Sequence, residues 1–138
     1  MTYVILDTNI LVSALYGTSG AGRPGLLLDL CLAGHYQAVY TEAILDEYRR
    51  VLLRPKFGFD ARDVANVLDF FRFKALPADP LHESRTRPQC SDPDDQKFFD
   101  AACCWDAILV TGNKRHYPDD MRVQTLDEFF ANRTGVYR

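Results

Sequence analysis

The sequence lacks any apolar run near the roughly 20 residues that a membrane-spanning helix needs. It also lacks an excess of positive charge, because 16 Lys and Arg stand against 19 Asp and Glu and leave a net charge of −3. Binding to nucleic acid by bulk charge alone is therefore excluded, and any such site must be local. The N-terminal segment has no basic stretch typical of a signal peptide, and Asp7 interrupts its apolar run. We expect a cytoplasmic protein without a membrane anchor.

Cysteine and histidine are too few and too scattered for a soft-metal site. The four cysteines form no C-x-x-C pair, and the three histidines have no metal-ligand spacing, which disfavours a zinc site or a thioredoxin-like redox site. The glycine-rich segment 17–22 reads as a flexible loop, because no Gly-Lys-Ser or Gly-Lys-Thr of a P-loop follows it. A metal ion bound by this chain would need oxygen ligands.

What the sequence does have is a regular alternation of short buried strands with helices. With 138 residues, of which 47% are hydrophobic, we expect residues 1–138 to form one domain with its own core. Apolar runs predict strands at 4–6, 36–40 and 107–111, with brief strands near residues 75 and 123. Helical spacing predicts helices at 10–16, 24–33, 41–54, 60–73 and 91–104, and a last one ending near 131. This order is typical of an α/β sandwich with helices on both sides of a mostly parallel sheet.

Two polar residues end buried strands of the predicted sheet. Asp7 follows the first strand and Asn113 follows the strand at 107–111. Ligands of open α/β sheets bind beyond the carboxyl ends of the strands, so both residues are candidates for a functional site. Asp7 could also cap the helix that begins at Thr8, and the two roles are compatible.

A third candidate, Glu47, lies on the helix predicted at 41–54. That helix has an apolar stripe formed by Ile44, Leu45, Tyr48, Val51 and Leu52. Glu47 lies at the edge of the stripe, whereas Glu42 and Asp46 point away from it. The alternative is a solvated glutamate that pairs with Arg50 or Arg54 on the same helix.

The fourth candidate is Asp95, in an acidic segment that starts the helix at 91–104. Acids at a helix N-terminus complement the helix dipole, and Asp92 with Pro93 is a strong helix start. Asp95 differs from its neighbours because Phe98 and Phe99 follow it at helical spacing and place it on the buried stripe. Converging carboxylates would repel one another, and a hard divalent cation would hold them ionised.

Basic residues cluster in three places, at 49–56, 85–87 and 114–116. Each cluster is typical of a solvated surface. Only Lys114, Arg115 and His116 directly follow a candidate site residue, so we name these three as candidate phosphate contacts.

Five segments, at 4–14, 41–48, 54–57, 92–99 and 109–113, together resemble the PIN-domain family of metal-dependent nucleases. They run from Val-Ile-Leu-Asp-Thr-Asn at the first strand to Leu-Val-Thr-Gly-Asn at the end of the strand at 107–111, occur in the family's order and are spread over most of the chain. The family includes the toxins of many prokaryotic toxin–antitoxin pairs, and the chain is similar to a bacterial branch described as toxin components. The resemblance implies a PIN-like three-layer sandwich.

The resemblance also implies a catalytic set. The family's acids match Asp7, Glu47 and Asp95, which would bind Mg²⁺ or Mn²⁺, with Glu47 acting directly or through water. The family's fourth position, often Asp, is Asn113 here; its amide carries no charge, which questions a second metal site. The implied reaction is hydrolysis of RNA phosphodiester bonds, with RNA as the substrate, a small antitoxin protein as a partner and a homodimer as a possible assembly.

Two alternatives remain open beside an endoribonuclease toxin. The first is a catalytically weak PIN-fold module that binds RNA or protein, which Asn113 favours. The second is a phosphatase of the haloacid dehalogenase type, which also has Asp at the end of its first strand. That class has a second Asp two residues later, where this chain has Asn9, so the phosphatase is disfavoured.

Overall fold

Five parallel strands form one sheet in the computed structural model, which describes residues 1–16, 22–78 and 87–133. In chain order the strands are β1 (Tyr3–Leu6), β2 (Gln37–Tyr40), β3 (Leu76–Pro77), β4 (Ile108–Val110) and β5 (Val123–Gln124). Their order across the sheet is β3-β2-β1-β4-β5, and every neighbouring pair is parallel. The strand order reverses between β1 and β4, so the topological switch point, where α/β folds place their ligands, lies there.

Six helices of the described chain flank this sheet. They are α1 (Thr8–Tyr16), α2 (Gly22–Leu32), α3 (Glu42–Leu52), α4 (Ala61–Lys74), α5 (Gln96–Trp105) and α6 (Leu126–Ala131). Single turns of 3-10 helix at Pro93–Asp95 and Lys114–His116 precede α5 and follow β4. Helix α3 packs against α1, α4 and α5, which makes it the centre of one helical layer.

The core is centred on β1 and β4. Val4, Ile5, Leu6 and Leu109 have no exposed surface, as expected for strands covered by helices on both faces. The backbone N–H of Asp7 donates to the carbonyl of Val110 at 3.0 Å and extends the pairing of the two strands by one residue. Sheet hydrogen bonding therefore holds Asp7 at the switch point.

Side-chain caps begin helix α3 and the turn that leads into α5, and the sequence predicted the one at Asp92. The hydroxyl of Thr41 accepts from the backbone N–H of Ile44 at 3.1 Å, and Asp92 accepts from the N–H of Asp94 at 2.9 Å. The segment after Asp92 begins as a 3-10 turn and becomes α-helical only at Gln96. These caps fix where α3 and α5 begin. They thereby help to set the positions of the candidate acids Glu47 and Asp95.

The predicted α/β sandwich is confirmed, and the sheet is wholly parallel where it is described. The loop at 17–22, apart from its last glycine, and part of the basic cluster at 85–87 lie outside the described residues. That residues 1–138 form a single domain stays a prediction. Within the described ranges, no helix is both long and apolar enough to cross a membrane.

Candidate active site

A cleft of about 230 Å³ lies at the carboxyl end of β1, beside the switch point. Three of the four predicted site residues line it, namely Asp7, Glu47 and Asp95. They come from the end of β1, from α3 and from the turn that leads into α5. Residues far apart in sequence therefore meet in one small polar site.

A larger cavity of about 900 Å³ lies elsewhere, between the beginning of β1 and the end of α5. It holds two acids, Asp106 and Asp120. Both already pair with Arg122, at 3.4 and 3.0 Å. Because that cavity has no uncompensated carboxylate, the smaller cleft is the better candidate for chemistry.

Asp7 is held rigidly at the bottom of the cleft. Its side-chain Oδ2 accepts hydrogen bonds from the hydroxyls of Thr111 at 2.7 Å and Tyr117 at 3.1 Å. Burial raises the pKa of Asp7 above its ordinary value of 3.8, while the two hydroxyl donors oppose the rise. The backbone N–H of Thr8 is a further donor to this carboxylate. Among the described residues, no side chain donates to its other oxygen, Oδ1.

Glu47 is fixed by contacts through both of its carboxylate oxygens. Thr8 donates its hydroxyl to Oε2 at 2.5 Å, and the ammonium of Lys97 lies 2.6 Å from Oε1. Helix α3 is itself tied to β1, because Tyr48 donates its hydroxyl to the carbonyl of Leu6 at 2.6 Å. These contacts hold the carboxylate of Glu47 at the carboxyl end of β1.

The open alternative for Glu47 was an ion pair with an arginine of its own helix. In the described chain Glu47 pairs with neither Arg50 nor Arg54, although both line the same cleft. The glutamate instead takes its counter-charge from α5, through Lys97.

Asp95 lies at the start of α5 with a side chain that is 20% exposed. Burial, followed by the negative charges of Asp7 and Asp92, raises its pKa to about 6. His116 partly opposes this rise, with its Nδ1 3.9 Å from Oδ2 of Asp95. Repulsion between the carboxylates therefore contributes to the raised pKa, after burial.

The remaining predicted residues lie on the chain that follows β4. Asn113 is outside the cleft lining, and its backbone N–H donates to the threonine hydroxyl just after β4. The ammonium of Lys114 pairs with Glu128 at 2.8 Å, and Arg115 is exposed. Of the three predicted phosphate contacts, only His116 approaches a predicted acid.

Four residues that contact the acids were missed by the sequence reasoning. Thr8 and Thr111 each follow the end of a buried strand, so the rule that found Asp7 could also have found them. Lys97 and Tyr117 carry no such signal. Their roles depend on how α5 packs against α3 and on a 3-10 turn that the sequence did not predict.

The donor set of the cleft suits a hard divalent cation. Among the residues that the structure describes, no three His, Cys, Asp or Glu side chains form a ready metal cage. Mg²⁺ commonly binds through only one or two carboxylates and keeps several waters. No side chain donates to Oδ1 of Asp7 among the described residues, and the charged form of Asp95 is disfavoured by burial and then by neighbouring negative charge. These two residues fit direct ligands, and Glu47, whose two oxygens have partners, fits a ligand through water.

A doubly wound α/β sheet with an acidic cleft at its switch point defines the class of this protein, and comparison with known sequences defines its family. Residues 3–115 match the sequence profile of the PIN domain. An uncharacterized protein of Methanocaldococcus jannaschii is 31% identical over 115 residues, which cover 80% of this chain and 70% of the relative. The chain belongs to the PIN-domain family, as its motifs predicted. PIN domains are in general nucleases, and they typically bind a divalent metal ion.

Proposed function

We propose that this chain is a metal-dependent endoribonuclease that hydrolyses RNA phosphodiester bonds. The observation that carries the proposal is the meeting of Asp7, Glu47 and Asp95 in one cleft at the switch point of a PIN domain. A surface role would not require three acids from separate elements to converge, because buried carboxylates destabilise a fold unless they are compensated.

In this proposal Asp7 and Asp95 hold Mg²⁺ or Mn²⁺. The chemistry that the ion supplies when bound is activation of water and stabilisation of charge on the phosphoryl oxygens during in-line displacement. Thr111 and Tyr117 keep Asp7 in one orientation through Oδ2. Thr8 keeps Glu47 directed at the site, where it orients the attacking water.

The biological role that we propose is that of a cytoplasmic toxin in a toxin–antitoxin pair, with RNA as the substrate and a small antitoxin protein as the partner. Support comes from the similarity of the five motifs to the toxin branch of the family. A second candidate is a catalytically weak module that binds RNA or protein. Two observations favour it: Asn113 replaces an acid, and both oxygens of Glu47 already have partners.

Cleavage of a fluorescently labelled single-stranded RNA tests the enzyme proposal. We expect cleavage with Mg²⁺ or Mn²⁺ and none with EDTA. Asp7→Asn and Glu47→Gln should each reduce the rate by at least about 100-fold. The matched control is Asp46→Asn on the exposed side of α3, where the carboxylate pairs with Arg49, and its rate should stay near wild type.

Each result separates the candidates. Cleavage that persists in EDTA refutes the metal mechanism. Wild-type protein that binds RNA with Mn²⁺ present and does not cut it supports the binding module. Equal losses for Glu47→Gln and Asp46→Asn would show that surface charge matters and that the position of Glu47 does not.

A further inference from the structure

One side of α3 carries basic charge into the acidic cleft. Glu47, Arg50 and Arg54 are spaced three and four residues apart, so they follow one another along one side of the helix and its C-terminal turn. All three line the cleft. This row begins at Glu47, one of the proposed catalytic acids. Its two arginines extend along α3 and its C-terminal turn, away from the proposed site of chemistry.

In the part of the chain that the structure describes, neither of these two arginines has an ion-pair partner, although five acids line the same cleft. Arg49, on the neighbouring side of α3, does pair with Asp46, at 2.6 Å. Arg50 and Arg54 thus make no direct ion pair with these acids, and their guanidinium groups are available to an anion. Guanidinium groups bind phosphate oxygens in a bidentate manner.

An aromatic cluster continues this row. Tyr16, Phe57 and Phe59 contact one another with ring centroids 5.2 to 5.7 Å apart, and Tyr16 is 57% exposed. The backbone N–H of Phe57 donates to the carbonyl of Arg54 at 3.1 Å, so the cluster is attached directly to the end of the arginine row. Phe57 and Phe59 are partly buried and stack on each other, so Tyr16 is the exposed ring of the cluster. An exposed ring beside basic residues is a combination that binds single-stranded nucleic acid, because unpaired bases stack on such rings.

We propose that Arg50 and Arg54 bind backbone phosphates of a single-stranded RNA, and that Tyr16 stacks a base of the same strand next to the cleft. This inference rests on the proposed function, because it gives the substrate a path from the acids to the end of α1. Helix α1 joins the two ends of that path. Thr8 begins the helix in the cleft and Tyr16 ends it about 12 Å away, at 1.5 Å per residue.

The test is fluorescence anisotropy with a labelled single-stranded RNA of about ten nucleotides, in EDTA and again in Ca²⁺, over a series of KCl concentrations. Each phosphate contact to a single strand contributes about 0.7 to the slope of log affinity against log salt. The double variant Arg50→Gln/Arg54→Gln should therefore lower the slope by about 1.4. The control Arg49→Gln, whose side chain already pairs with Asp46, should leave the slope unchanged. An unchanged slope in the double variant, or the same loss in the control, overturns the proposal.

The aromatic part has its own readout. Tyr16→Leu should weaken binding at least about fivefold, because stacking is lost, and should leave the salt slope unchanged. Phe73→Leu, at a ring that is 71% exposed on α4, is the control and should bind like wild type. Sedimentation velocity runs in parallel. Wild-type affinity together with a changed oligomeric state in Tyr16→Leu would assign the cluster to contact between copies of the chain and overturn this part.

Binding and cleavage can fail separately. Wild-type protein that binds RNA with the expected slopes and cuts nothing refutes the nuclease proposal and supports the RNA path. Conversely, cleavage by Arg50→Gln/Arg54→Gln with an unchanged KM refutes the RNA path and leaves the nuclease intact.

Discussion

Replacing Asp95 with asparagine should stabilise the protein at neutral pH when no divalent metal is present. Burial and the charges of Asp7 and Asp92 raise the pKa of Asp95 to about 6 from its ordinary value of 3.8. Between these two pH values the folded protein binds more protons than the unfolded chain, so its stability falls as the pH rises through this window. Above pH 6 the full penalty is present, and Asp95→Asn removes it.

The size of the effect follows from the shift. A rise of about 2 in the pKa corresponds to a destabilisation of at most about 3 kcal/mol, at about 1.36 kcal/mol per pKa unit. The side chain of Asp95 is 20% exposed, and solvent screening reduces this limit. We expect a gain of about 1 to 2 kcal/mol in the free energy of unfolding at pH 7.5, which is a rise of about 4 to 8 °C in Tm.

Thermal denaturation in EDTA from pH 4 to pH 8 measures this gain. The difference between wild type and Asp95→Asn should be near zero at pH 4, grow toward pH 6 and then stay constant. Asp94→Asn, at the exposed acid one residue earlier, is the control and should show little change. Adding Mg²⁺ should raise the Tm of wild type more than that of Asp95→Asn. A lower Tm of Asp95→Asn at pH 7.5 would refute the repulsion between the acids, and an equal gain in the control would assign the effect to general surface charge.

Three further predictions concern groups around the cleft and in the core. Tyr117→Phe removes one donor to the aspartate at the end of β1, so the free energy of unfolding should fall by about 1 kcal/mol and RNA cleavage by about tenfold; wild-type rates would contradict a positioning role. Lys97→Met removes the counter-charge of Glu47 and should strengthen Mn²⁺ binding in calorimetric titration, which an unchanged or weaker affinity would contradict. Burial raises the pKa of Cys31 to about 12, so this thiol should react with Ellman's reagent at pH 8 far more slowly than the exposed Cys104, as mass spectrometry of the partly labelled protein can check.

The sequence predicted the layout of the sheet because its signals are local. The run at Val4–Leu6 is continuously apolar, which only a strand buried on both faces requires. The start of α5 was readable because Asp92 and Pro93 favour a helix N-terminus through backbone chemistry that needs no tertiary contact. The spacing of Glu47 from the apolar stripe of α3 likewise predicted that its carboxylate lies at the interior edge, and the structure places it in the cleft.

The contacts of the acids could not be predicted because they join distant segments. Tyr117 reaches Asp7 across 110 residues of sequence, through a 3-10 turn that has no periodic signal. Asn113 shows what a local sequence signal leaves open. Its place after a buried strand suggested the site, yet the chain turns there so that the residue lies outside the lining of the cleft. A strand end predicts the edge of a sheet, and the turn that follows decides where each side chain goes.

Charge compensation in the cleft shows both what the sequence can predict and what it cannot. That Asp7, Glu47 and Asp95 need positive charge follows from residue type and helical spacing alone. The source of that charge does not, because Lys97 reaches Glu47 only through the packing of α5 against α3. An ammonium 2.6 Å from a carboxylate supplies part of the positive charge that a divalent cation would supply, so we expect Lys97 to stabilise the acids without metal and to oppose the binding of metal. On the proposed function, the same lysine would set the balance between a stable metal-free protein and a site that holds metal.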